Sequence, residues 1–104
     1  MEKRIVFRST EQSPAVKGII EKRLQKLDAF LEHERQPITI DVVIEPAKVH
    51  AHDRVEIKIH NPDFTIISDY EGPEMYAVLE KVLHSIIYQL HEKKRELVEK
   101  RQRG

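Results

Sequence analysis

The chain has 104 residues, enough for one domain that buries roughly two thirds of its unfolded surface without a covalent staple. It has no cysteine, which excludes disulfides and thiolate chemistry and fits a reducing compartment. Its 18 basic residues match 18 acidic ones only as an average. Residues 1–30 hold seven basic and four acidic side chains, residues 31–75 four and ten, and residues 76–104 seven and four. Two positive ends therefore flank a negative middle. The N-terminus, MEKRIVFRST, lacks the apolar run of a signal peptide, and no apolar stretch approaches membrane-spanning length. A soluble, cytoplasmic protein is expected, with no membrane partner.

In chain order, Arg4 to Arg8 form a short apolar run with basic flanks, read as a first strand. Ser13 then stands as a helix N-cap with Pro14 at the first helical position, where its missing N–H is harmless. Val16, Ile20, Leu24, Leu27 and Leu31 recur at helical spacing, which predicts an amphipathic helix to about Leu31. After Pro37 the period changes. Ile38, Ile40, Val42 and Ile44 alternate with more polar neighbours, as do Val55, Ile57 and Ile59, so two half-buried strands are expected. The stretch HNPD suits a tight turn, and Phe64 to Ser68 make a fourth strand, closing a hairpin. Gly72 as N-cap and Pro73 in the first turn open a last helix, whose core stripe is Tyr76, Leu79, Leu83, Ile86, Ile87 and Leu90. The order is β-α-β-β-β-α. Each element has one apolar face, so an α+β fold follows: a four-stranded, mostly antiparallel sheet with two helices on one face. One domain spans residues 1–98, and residues 99–104 form a basic stub expected to be disordered.

Chemistry-bearing motifs are scarce. His50 and His52 could share one side of an extended segment, but a zinc site needs three or four ligands and only Asp53 and His60 stand near. They are read as ordinary loop histidines. There is no glycine-rich phosphate loop and no nucleophile motif. No catalytic residue, metal, cofactor or small-molecule substrate is expected, and the protein is not read as an enzyme.

The helices are more informative. Lys22, Arg23 and Lys26 lie at i, i+1 and i+4 on one flank of the first helix, either a solvated face or a grip on phosphates. On the last helix the sector opposite the core holds Lys81, Ser85, Tyr88, Glu92 and Arg95, beside the basic run Lys93, Lys94 and Arg95. His84, Tyr88, His91 and Arg95 form a continuous stripe, in which Tyr88 offers a stacking face and the imidazoles gain charge as pH falls. The closing segment HEKKRELVEKRQRG holds six Lys and Arg against three Glu, either a plain solvated end or a grip on something anionic that runs into the stub.

The element order, RLQKLDAF on the first helix, and EGPEMYAVLEKV followed by YQLHEKK resemble the ribosome hibernation-promoting factor and ribosome-associated inhibitor family, over nearly the whole chain. The most specific part is Glu74-Met75-Tyr76-Ala77 after a Glu-Gly turn, with Gln89-Leu90 about fourteen residues on. Ending soon after its last helix and without a long acidic tail, the chain resembles the short, hibernation-promoting type. The resemblance implies a bacterial or organellar factor that binds the small ribosomal subunit and its 16S rRNA in the mRNA–tRNA channel. It would block translation in stationary phase or stress, with ribosome dimers forming alongside a separate factor. The RNA-binding residues expected are Lys22, Arg23, Lys26, Lys81, Tyr88, His91, Lys93, Lys94 and Arg95. The resemblance implies Arg23 and Lys26, with Lys22 adjacent and Lys93 and Lys94 close to a further basic position, while Lys81, Tyr88, His91 and Arg95 are read from the stripe on the last helix. Arg23 and Lys26 match basic family positions, whereas Ser85, Tyr88 and Glu92 stand where relatives carry Lys or Arg. The alternatives are a module with the same fold that has lost ribosome binding and uses its acidic sheet to meet a protein, and a generic RNA-binding domain unconnected to ribosomes.

Overall fold

A computed structural model describes residues 1–48 and 51–103. The elements are β1 (Glu2–Phe7), α1 (Pro14–Leu31), β2 (Thr39–Pro46), β3 (Asp53–His60), β4 (Thr65–Gly72) and α2 (Met75–Arg103). The sheet order is β1-β2-β3-β4, with β1 parallel to β2 and the other pairs antiparallel. The α+β fold with two helices and a four-stranded sheet is the one expected from the hydrophobic periods.

Alternation in the strands decides which face is buried. Ile40, Val42 and Ile44 of β2, Val55, Ile57 and Ile59 of β3 and Ile66 of β4 join Ile20, Leu24, Leu27 and Leu31 of α1 and Val78, Leu79, Val82, Leu83, Ile86 and Leu90 of α2 in one core. Both helices therefore cover the same side of the sheet. At about 25 cal/mol per Å² of apolar surface, this shared core is the main stabilising term. Ser13 caps α1 as expected, its hydroxyl accepting from Val16 N with Pro14 in the first turn. The expected hairpin turn is built around Asn61. Its side-chain oxygen accepts from Asp63 N and Phe64 N, and its amide donates to Arg35 O, tying the hairpin to the segment after α1.

Two local expectations are corrected. First, β4 runs on past Ser68 to Gly72, which pairs with Asp53, so Gly72 is a strand residue rather than a helix cap. Glu74 caps α2 instead, its carboxylate accepting from Tyr76 N and Ala77 N. Second, Tyr76 is 42% exposed and leaves the core stripe to Val78 and Val82. It lies at the border of the stripe, on the side that turns toward α1. The stripe His84, Tyr88, His91 and Arg95 is exposed along α2, with His91 also meeting Phe30 of α1. Beyond Leu97, the last residue of α2 packed on the core, the helix continues to Arg103. The span of β3 and the hairpin are as the alternation suggests.

Candidate nucleic-acid interface

Charge separates by layer. On the helix side, α1 carries four basic residues against two acidic, and α2 seven against four. On the outer sheet face, Glu2, Asp41, Glu45, Glu56, Asp69 and Glu71 outnumber Arg4, Arg54 and Lys58. The periods that bury the strands' apolar residues thus leave the acidic middle of the sequence on one side and the basic helices on the other. The acidic face is internally tied. Arg54 donates to Glu45 at 2.8 Å, Glu56 at 2.9 Å and Asp69 at 3.1 Å, and the hydrogen bond to Glu56, followed by the charge of Asp69, holds its guanidinium above the usual arginine range against its partial burial.

Two open grooves flank α2. One, of about 760 Å³, lies between α1 and the start of α2 and is lined by Ile19, Lys22, Arg23, Gln25, Lys26 and Tyr76. The other, of about 480 Å³, lies between α2 and β4 and is lined by Tyr70, Lys81, His84, Ser85 and Tyr88. The chain has three tyrosines and no tryptophan, and all three tyrosines stand in these grooves, at 42–64% exposure. The three phenylalanines are buried or half-buried. The exposed tyrosine rings thus stand in grooves that lysines also line, a combination suited to phosphates and unpaired bases. Among the described residues, Lys22, Lys26 and Lys81 are in no ion pair.

The sequence-derived binding residues fall into three groups. Lys22, Arg23 and Lys26 converge on the first groove, but Arg23 donates to Glu80 of α2 and is committed to holding the helices together. Lys81 and Tyr88 share the second groove. The remaining four lie further along α2 and point to different neighbours. His91 meets Phe30 of α1 edge-on with ring centres 5.2 Å apart, and Lys94 Nζ lies 5.7 Å from the same ring. Lys93 pairs with Glu96 at 3.3 Å and Arg95 with Glu92 at 2.6 Å, so part of their charge is countered within the helix. Sequence reasoning missed Tyr70, and it placed Tyr76 inside. The inward alternation of Phe64, Ile66 and Ser68 extended by one more step is the signal that would have found Tyr70.

Among the described residues no cluster of three His, Asp or Glu could hold a metal, and His50 of the histidine pair lies outside them. No helix among them is long and apolar enough to cross a membrane.

No curated protein matches the chain. Solved structures with the same fold include the N-terminal domain of Thermus thermophilus Protein Y, at 24% identity and a TM-score of 0.66, over 91% of this chain and 98% of that one. A ribosomal subunit interface protein from Coxiella burnetii is similar at 23% identity and a TM-score of 0.73, over 91% of this chain and 99% of its own. The family model described as sigma 54 modulation protein / S30EA ribosomal protein matches residues 4–98, nearly all of the two-layer domain that carries both grooves. The chain belongs to this family of ribosome-associated, non-enzymatic proteins.

Proposed function

We propose that this protein is a ribosome hibernation factor that binds the small subunit in the channel used by mRNA and tRNA and blocks translation under stress. The observation that carries the reading is the layering of charge: unpaired lysines and exposed tyrosines gather on the helix side, in grooves that run beside α2. Ribosomal RNA supplies phosphates and unstacked bases, the two partners this chemistry suits. The subunit-interface name of a fold relative agrees with it. In this reading Lys22, Lys26 and Lys81 contact phosphates, Arg23 and Lys94 set the helix-side geometry, and the factor works in the cytoplasm, where ribosomes are.

The test is sedimentation. In low-salt lysate from stationary-phase cells the protein should travel with 30S subunits or whole ribosomes, and Lys22→Ala/Lys26→Ala should move it toward the top of the gradient. A parent protein that stays at the top overturns the reading. The protein-binding alternative through the acidic sheet is less well supported, because Arg54 already occupies three of its carboxylates.

A further inference from the structure

We propose that the groove between Tyr70 of β4 and Tyr88 of α2 is a cleft for one unpaired base of single-stranded RNA, stacked on the tyrosine rings with its phosphate on Lys81. This rests on the RNA-binding reading and adds to it a recognition mode that charge alone does not supply.

The groove is built from two elements that a side chain locks together. Gln89 Nε2 donates to Ile67 O on the edge of β4 and to Ser85 Oγ, each at 3.3 Å. Gln89 is thus a positioning residue that sets α2 against β4, and with them the tyrosine that each contributes. Its second bond also orients chemistry. Because Ser85 Oγ accepts from Gln89, the serine's own proton remains for an acceptor on the edge of a base. The volume of about 480 Å³ is in the range of small-ligand clefts, roughly 300–1,000 Å³.

Charge and exposure select the occupant. Tyr88 is 64% exposed, the most exposed large apolar side chain of α2, in a position that gains nothing from the core. Lys81 brings a cation to the same groove, and the nearby carboxylate of Glu92 is held by Arg95, which lessens its repulsion of a phosphate. Two π faces, one cation and hydroxyl and imidazole groups match a nucleotide within a strand. A paired base hides its faces in the duplex and cannot enter. The cleft therefore favours single-stranded loops and ends of RNA over helical segments.

The experiment measures binding of fluorescein-labelled hexaadenylate to the full chain at low salt. Three further ligands are compared with it: its duplex with a complementary strand, an abasic hexamer, and free adenosine monophosphate. Tyr88→Ala and Tyr70→Leu should each weaken hexaadenylate binding about 5- to 100-fold, the range of a lost base–aromatic stack. Tyr88→Phe and Tyr70→Phe, which keep the rings, should bind within about twofold of the parent, and thermal melts confirm that every variant is folded. The abasic hexamer and the duplex should bind the parent no better than hexaadenylate binds Tyr88→Ala. Several results overturn the cleft: no binding by the parent, equal binding by Tyr88→Ala and Tyr70→Leu, or equal binding of the abasic hexamer. Adenosine monophosphate binding as tightly as the hexamer overturns the assignment to a strand in favour of a free nucleotide. Sedimentation of the same variants separates the two readings. Tyrosine-dependent hexamer binding by a protein that ignores ribosomes keeps the cleft and removes the ribosome, and ribosome binding unaffected in both alanine and leucine variants does the reverse.

Discussion

The guanidinium of Arg23 on α1 donates to the carboxylate of Glu80 on α2, 57 residues away in sequence. This pair divides the first-helix cluster into one structural cation and two free ones. Lys22→Ala and Lys26→Ala should each flatten the salt dependence of RNA binding by about 0.7 to 0.9 in log–log slope, one phosphate's worth of released counterions. Arg23→Ala should change that slope less. Glu80→Gln should release Arg23 toward the groove, strengthening binding and steepening the slope, at a stability cost of no more than about 1 kcal/mol for an exposed pair. Titrations of RNA or 30S subunits at several salt concentrations check all four variants.

Gly72 stands at a close approach of β4 to α2. A Cβ at this position would lie 3.0 Å from Val78 Cγ2, and Val78 is buried at 3% exposure. A β-branched side chain in a helix has one strongly preferred rotamer and cannot swing aside. Gly72→Ala should therefore destabilise the fold by about 1 to 3 kcal/mol. Adding Val78→Ala should return part of that loss, a coupling that a double-mutant cycle in urea measures.

Asn61 is buried at 1% exposure and satisfies two backbone N–H groups and one carbonyl. Asn61→Ala leaves these groups without partners in the protein, at a cost of about 2 to 4 kcal/mol. The lowered urea midpoint should come with faster amide exchange at Asp63 and Phe64, the two donors that Asn61 accepts from.

On the outer sheet face, Arg54→Gln removes the one cation shared by Glu45, Glu56 and Asp69. These groups are a quarter to a half exposed, so the expected loss is modest, about 1 kcal/mol at low salt. Salt should shrink it, because the repulsion left behind is screened over roughly 10 Å at 0.1 M. The arginine's pKa is raised in the fold, so its contribution is present below the ordinary arginine range and lost only as pH rises past it. Melting temperatures of parent and variant should therefore differ by a constant amount between about pH 7 and pH 9. RNA binding should not change, since the site lies on the opposite layer.

What the sequence determined by itself is whatever a local period or a local hydrogen bond encodes. Ile20, Leu24, Leu27 and Leu31 repeat at helical spacing and are all buried; Ile40, Val42 and Ile44 alternate and are all buried; Ser13 and Pro14 start α1 where a cap and a proline must. The separation of a basic helix layer from an acidic sheet follows from the same alternation. The candidate site was legible only in part. Lys22, Lys26, Lys81 and Tyr88 stand in grooves because each is far from its helix's apolar stripe. Tyr76 sits at the border of its stripe, and a border position becomes core or groove according to how the neighbouring helix is placed, which no period encodes. Tyr70 enters the second groove only because β4 runs to Gly72, and β4 runs that far because β3 offers it a partner to Asp53. Arg23 is taken from the RNA-facing set by a carboxylate on the other helix. Those three outcomes depend on contacts between residues distant in the chain, and it is the packing of α2 against α1 and β4 that decides them.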